Sequence, residues 1–173
     1  MKLDPIKFNV RLWQESDDLS HLNCKEPDGS DPLGVQEFLE KKAVQYHKSR
    51  LCSLFVTTYE QKPVGFFALC MSAIESPRLA ADEKVNGYTP RSYPAMLLAQ
   101  MGVNLPFRNQ GIGIEIRDFC LGIAVDIGER VACRYVILQT NEHLSNYYRK
   151  YWEFIKQENP PHRGKVWMYR RVA

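Results

Sequence analysis

One stretch near the middle of the chain limits the fold more than any other. Ala95 to Val103 is an almost unbroken apolar run, the pattern of a central strand covered on both faces. Arg108-Asn109-Gln110-Gly111-Ile112-Gly113 follows it closely. From Gly111 to about Gly128, Ile116, Phe119, Cys120, Ile123 and Ile127 recur at helical spacing, while Glu115, Asp118, Asp126 and Glu129 hold the opposite side. That spacing predicts an amphipathic helix packed on a sheet. Tyr135 to Thr140 is again short and apolar. Strand, helix and strand from 95 to 140 therefore read as a βαβ unit, whose two strands are expected to run parallel.

The flanking segments have their own signals. Residues 6 to 12 alternate, with Ile6, Phe8, Val10 and Leu12 on one side and Lys7, Asn9 and Arg11 on the other, which predicts a half-buried strand. Ser16-Asp17 offers caps for a short helix, and Asp31-Pro32 a cap and first-turn proline for a second helix from Leu33 to about Lys48. Leu51 to Tyr59 and Val64 to Ser72, separated by Glu60-Gln61-Lys62-Pro63, read as an antiparallel hairpin. Residues 73 to 93 hold Pro77, Gly87 and Pro90 without a clear period, and a loop of that length is suspected of function or of hiding a short helix. A helix from about Glu142 to Trp152 and closing strands near Phe154 to Gln157 and Val166 to Arg171 complete the chain. With 173 residues and no repeat, low-complexity tract or linker, a single domain over 1–173 is expected, burying roughly 70% of the surface an unfolded chain exposes.

Composition removes several classes of function. Met1-Lys2-Leu3-Asp4-Pro5 breaks any signal-like apolar run and no stretch of about 18 apolar residues occurs, so a cytoplasmic protein without a membrane partner is expected. The cysteines Cys24, Cys52, Cys70, Cys120 and Cys133 are odd in number and contain no C-x-x-C pair, which predicts reduced thiols. His21, His47, His143 and His162 are as dispersed, so no metal is expected. A net charge of +3 and a pI near 8.6 suit an anionic ligand or a nucleic acid and require neither.

The chemistry is expected where the central strand turns into the long helix. Glycines in Arg108-Asn109-Gln110-Gly111-Ile112-Gly113 let the backbone turn tightly and approach a ligand. The first helical turn presents N–H groups without intrahelical partners and the positive end of the helix dipole. Arg108 would add a fixed positive charge. Such a turn suits a diphosphate. Short glycine patterns arise often by chance, and a plain tight turn is the competing reading; the placement between a buried strand and a long amphipathic helix gives the pattern its weight.

At the far end of the βαβ unit, Asn141 follows the strand Val136-Ile137-Leu138-Gln139-Thr140, and Tyr147-Tyr148-Arg149-Lys150 comes soon after. Together with the R/Q-x-x-G-x-G/A match at Arg108 to Gly113, this resembles the GNAT acetyltransferases, whose corresponding segment reads N-x-x-A-x-x-(F/Y)-Y-x-K-x-G-F. Asn141, Tyr147, Tyr148 and Lys150 are in register with that pattern, and Ser145 lies close to its small residue. Where the family places glycine, this chain has Trp152 and Glu153 before Phe154, which leaves the end of the helix and the register of Phe154 open. Leu144, Tyr147, Tyr148, Tyr151, Trp152 and Ile155 also form a core-facing stripe. Periodicity alone makes Tyr148 a packing residue; the spacing from Asn141 and the resemblance make it catalytic, with Tyr147 the packing aromatic.

The resemblance implies an α/β GNAT fold, with a mixed central sheet of six to seven strands flanked by helices and a splayed parallel pair in the centre. It implies acetyl-coenzyme A as the acetyl donor, bound by Met101, Gly102, Val103, Arg108, Asn109, Gln110, Gly111, Ile112, Gly113 and Asn141. Gly102 would allow a bulge, an N–H near Met101 to Val103 would hold the thioester oxygen, and Tyr148 would protonate the departing sulfur. Glu75 and a water chain remain alternatives for the general base. The N-terminal third, through Asp31, Leu33, Phe38 and Leu39, partly resembles the tRNA-acetylating toxins. A charge of only +3 nevertheless puts small-molecule or protein amines ahead of aminoacyl-tRNA. A non-catalytic coenzyme A-binding regulatory module is the rival, a plain nucleic-acid-binding domain lacks a basic stripe, and a homodimer is left open.

Overall fold

The computed structural model describes residues 3–158 and 164–172. Its elements are β1 (Phe8–Leu12), α1 (Val35–Lys41), α2 (Ala43–Lys48), β2 (Ser53–Tyr59), β3 (Lys62–Glu75), β4 (Ser92–Val103), α3 (Ile112–Arg130), β5 (Tyr135–Thr140), α4 (Glu142–Trp152), β6 (Ile155–Lys156) and β7 (Val166–Arg171). The strands form one seven-stranded mixed sheet in the order β1-β2-β3-β4-β5-β7-β6. The expected βαβ unit is present. β4 and β5 pair in parallel from Ala95↔Tyr135 to Leu98↔Leu138, whereas β1/β2, β2/β3, β5/β7 and β6/β7 are antiparallel.

Two compact units divide the chain, Met1–Cys70 with Ala99–Phe119 and Met71–Leu98 with Cys120–Ala173. The first has a core of Leu22, Phe38, Leu39, Leu54, Phe66 and their neighbours, supplied by the segment before α1 and by α1, α2, β2 and β3. Phe55 stacks on Phe67 at 5.0 Å, and Phe119 meets both rings edge-on. The core of the second is built on Ile74, Leu79, Ile137 and three tyrosines, Tyr93, Tyr135 and Tyr169. On α3, Ile112, Ile116, Cys120 and Ala124 are buried at a spacing of one helical turn, and Phe119, Ile123 and Ile127 are half-buried beside them, so the predicted apolar stripe is the buried one.

Four local expectations are corrected. Strand β1 starts at Phe8, because Pro5–Lys7 forms a 3-10 turn capped by the Asp4 carboxylate, which leaves Ile6 92% exposed. No helix follows Ser16-Asp17. The Asp17 carboxylate is taken instead by a two-pronged pair with Arg11, at 2.6 and 2.7 Å, and by the N–H of Gln14. The helix expected from Leu33 to Lys48 is two helices meeting at Lys42, with Ala43 buried and Lys41 and Lys42 exposed. Asp31 does cap it, accepting from Val35 and Glu37, but the left-handed Gly34 delays the start to Val35. Finally, β3 runs to Glu75, and the following segment holds 3-10 turns at Ser76–Arg78 and Ala81–Glu83 before β4 begins. The suspected short helix in the 73–93 segment is thus a pair of single turns.

Gly102 has a packing reason for being glycine. A Cβ there would lie 2.6 Å from Phe66 Cε1, 2.7 Å from Cys24 Sγ and 2.9 Å from Val35 Cγ1. Gly65 faces the same strand, and a Cβ on it would lie 2.8 Å from the Gly102 carbonyl oxygen. The missing side chain of Gly65 lets the two backbones approach, and that of Gly102 makes room for the side chains of Phe66, Cys24 and Val35. Gly102→Ala is therefore expected to lower stability by about 1–3 kcal/mol through overpacking, read as a fall in the urea midpoint at unchanged slope.

Candidate functional site

The turn into α3 is built by backbone strain and one arginine. After β4, Leu105–Phe107 makes a 3-10 turn, and Asn104 ties the segment inward through its N–H to Val64 O and its Oδ1 to Asn23 N. Asn109 takes φ 60° and Gly111 φ 101°. Open space surrounds the Gly111 Cα, so its conformation and not its volume calls for glycine. The Gly111 carbonyl accepts from Ile114 and Glu115, which leaves the N–H groups of Ile112 and Gly113, in the first turn, outside the intrahelical ladder. Gln110 closes the turn by donating to Pro106 O.

The Arg108 side chain is directed back into its own unit. Its Nη2 donates to the carbonyls of Cys24 and Lys25, both at 2.7 Å, and its Nε to Val103 O at 3.3 Å. Glu26 lies 3.4 Å from Nη1. The guanidinium, read from the sequence as charge for a phosphate, is a brace between the helix entrance and residues 24–26. Cys24 is buried beside it, and burial pushes the thiol up to about 12 against a smaller opposing pull from Arg108. Cys120 is likewise pushed up to about 12 by burial. Neither thiol supplies a nucleophile at neutral pH.

Met101 and Val103 are half-buried on β4 and Gly102 is buried between them. The parallel register with β5 ends at Leu98↔Leu138, before this part of the strand is reached. Its N–H and C=O groups therefore lie beyond the registered β4/β5 pairs, where the sequence reading put the thioester.

In the other unit, α4 carries the two remaining residues. Asn141 is its N-cap, with Oδ1 accepting from Leu144 N at 2.9 Å. That bond uses the amide oxygen and leaves the NH2 group for other acceptors. Tyr148 is buried, with its ring against Tyr147, Trp152 and Phe154 at centroid distances of 5.4, 5.1 and 6.4 Å. Burial holds its phenol well above the ordinary value near 10, and Tyr147 and Cys120 add to the shift. Such a phenol stays protonated throughout the neutral range and is able to donate a hydrogen bond. The helix ends at Trp152, and Glu153 adopts the left-handed conformation, φ 57°, that a glycine would take. Its N–H and that of Phe154 both donate to Tyr148 O, and Arg170 steadies the end through Trp152 O and the Glu153 carboxylate. Phe154 is buried. The carboxylate of Glu75 is paired with Arg78 at 2.9 Å.

No family profile matches the chain. A tRNA-acetylating toxin of Mycobacterium tuberculosis (strain ATCC 25618 / H37Rv) is 22% identical over 153 residues, covering 88% of this chain and 87% of that protein. Among solved structures, AtaT complexed with acetyl-methionyl-tRNAfMet superposes with a TM-score of 0.76 at 16% identity, over 92% of this chain and 93% of that one. A mutant AtaT toxin bound to the C-terminus of the antitoxin AtaR and to acetyl-CoA superposes with a TM-score of 0.72 at 13% identity, over 96% and 94%. The chain has the GNAT fold of these toxins.

Removing the Arg108 brace takes a donor from three carbonyls, those of Cys24, Lys25 and Val103. Arg108→Ala is expected to cost about 1–3 kcal/mol in urea unfolding, and Arg108→Lys to recover only part of it, because an ammonium lacks the planar fork.

Proposed function

We propose that this chain is an acetyl-coenzyme A-dependent N-acetyltransferase whose acceptor is the α-amino group of an aminoacyl-tRNA. The observation that carries the acceptor is the similarity to a tRNA-acetylating toxin over 88% of the chain. It reverses the order read from net charge, which put small-molecule and protein amines first. The GNAT fold supports the donor, since the superposed structures include a toxin with acetyl-CoA bound. On the same basis an antitoxin polypeptide joins the partners proposed for this chain.

In this reading the N–H groups of Ile112 and Gly113, with the glycine turn at Gly111, hold the diphosphate of coenzyme A by main-chain donors and the helix dipole. Asn109 and Gln110 shape the turn, and Arg108 fixes its position. Main-chain groups of Met101, Gly102 and Val103 pair with the pantetheine arm, and one N–H stabilises the oxyanion. The neutral amine attacks the thioester carbon to form the C–N bond and a tetrahedral oxyanion, the amine proton passes to a base or solvent, and the C–S bond breaks as the oxyanion collapses. Tyr148 gives its proton to the departing sulfur. A thiol has a pKa near 8.5 and a free phenol near 10, so the transfer is uphill even before the burial that raises the Tyr148 pKa. The group therefore acts chiefly as a hydrogen-bond donor to developing thiolate, with complete transfer late. Asn141 presents its amide from the first turn of α4.

Two measurements test this. Tyr148→Phe is expected to slow thiol release with aminoacyl-tRNA roughly ten- to a thousandfold, while calorimetry gives an acetyl-CoA affinity within about twofold of the original. A loss of activity matched by loss of fold would make Tyr148 a packing residue, and thiol release from none of a panel of aminoacyl-tRNAs would remove the proposed activity. The sign of the Tyr148 shift also fixes a pH profile. Its active form is the protonated one and the shift is upward, so kcat/KM should rise with deprotonation of the amine, near pH 8, and show no falling limb up to about pH 9. A fall there that disappears in Tyr148→Phe would show Tyr148 losing its proton below pH 9 and would contradict the upward shift, not the role as proton donor.

A further inference from the structure

The segment between β3 and β4 is fastened at its base and bare at its tip. Three tyrosine hydroxyls, from β4, β5 and β7, reach its main chain: Tyr93 accepts from Val85 N at 3.1 Å, Tyr135 donates to Glu83 O at 2.6 Å, and Tyr169 accepts from Ala80 N at 3.1 Å. The rings form an edge-to-face series, Tyr93 to Tyr135 at 5.9 Å and Tyr135 to Tyr169 at 5.7 Å. Arg134 lies over the first two and donates to the Tyr135 hydroxyl at 3.2 Å. Leu79 is fully buried, and the far end is closed by Ser76, whose N–H donates to Arg91 O and whose hydroxyl donates to Pro90 O. A loop tied by so many non-local bonds gives up little further entropy when it binds something.

What it presents is Lys84-Val85-Asn86-Gly87-Tyr88-Thr89-Pro90-Arg91. Tyr88 is 69% exposed, cations stand at both ends, and no acid lies between them. The charge of the chain is divided in the same sense. Residues 71–98 with 120–173 contain twelve Lys and Arg against eight Asp and Glu, while 1–70 with 99–119 contain eleven against twelve.

We infer that residues 84–91 are a preorganised RNA-binding arm, in which Tyr88 stacks on an unpaired base of the acceptor's single-stranded 3′ end and Lys84 and Arg91 contact the flanking phosphates. This rests on the aminoacyl-tRNA reading and deepens it. An exposed aromatic between cations is the combination that grips unpaired nucleotides without needing their sequence. A fixed arm also answers a difficulty of that reading, since a chain with a net charge of only +3 draws modest affinity from phosphate contacts spread over its surface.

The test uses the full chain and two fluorescent RNA hairpins, one with an unpaired 3′ tail of about four nucleotides and one blunt, titrated by anisotropy. Tyr88→Ala should weaken the tailed hairpin roughly 5- to 100-fold and leave the blunt one unchanged, and Tyr88→Trp should keep the affinity. Lys84→Ala combined with Arg91→Ala should weaken both and reduce the slope of log affinity against log salt by about two. Acetyl-CoA affinity should be the same in every variant, which reports an intact fold. Wild-type affinity of Tyr88→Ala for the tailed hairpin overturns the arm, and it leaves the enzyme reading standing if that variant still releases thiol with aminoacyl-tRNA. A wild-type protein that binds acetyl-CoA but neither hairpin nor aminoacyl-tRNA removes both.

Discussion

The guanidinium of Arg108 joins the entrance of α3 to the carbonyls of Cys24 and Lys25, residues more than eighty positions away in sequence, and the donor geometry of that entrance depends on it. Asn109 and Gly111 hold positive φ values, conformations that persist when the surrounding structure over-determines them. The brace does this from one side, and the hydrogen bonds of Asn104 to Asn23 and Val64 do it from the other. An arginine spent on carbonyls is no longer a free charge for a phosphate, so in the proposed reading the entrance would attract anions through peptide dipoles. Dipole binding of this kind is compatible with a unit whose acids slightly outnumber its cations, because oriented N–H groups act over a few ångströms whatever the net charge around them.

The sequence was legible where period and local chemistry agree. The apolar run of β4, the stripe of α3 and the short run of β5 mark out the βαβ unit and its parallel pair, and Asn141, directly after the β5 run, is a residue type suited to open α4. It was not legible where a side chain takes a partner outside its own element or a glycine takes a left-handed turn. Asp17 reads as a helix cap, but Arg11 claims its carboxylate from the neighbouring strand. Asp31 caps as expected, yet Gly34 takes a left-handed turn that no period records. The three tyrosines of β4, β5 and β7 look like strand packing, and their rings do pack; their hydroxyls, fixing the 76–91 segment, leave no trace in spacing. Arg108 matched a motif position for one reason and is held in the fold for another.

The end of α4 shows how a departure from a family pattern can leave its consequence intact. A glycine would adopt the left-handed terminus with less strain than Glu153 does, but Glu153 gains an ion pair with Arg170 at 2.9 Å. The same arginine holds the Trp152 carbonyl. With the terminus fixed, Phe154 is delivered to the buried cluster around the Tyr148 ring. The irregularity in sequence thus bears on the cost of the turn and not on the position of Phe154.

That cluster sets the character of Tyr148. A phenol surrounded by Tyr147, Trp152 and Phe154 has little water with which to stabilise a phenolate, so burial raises its pKa. In the proposed reading, the same scarcity of water would act on a thiolate leaving group at Tyr148, whose negative charge would be as poorly solvated as the phenolate. Both acidities then move in one direction, and the balance of proton transfer between them changes less than either pKa does alone. A tyrosine buried for packing and a tyrosine used as a proton donor are therefore not competing descriptions of this residue, because the packing keeps the proton on it.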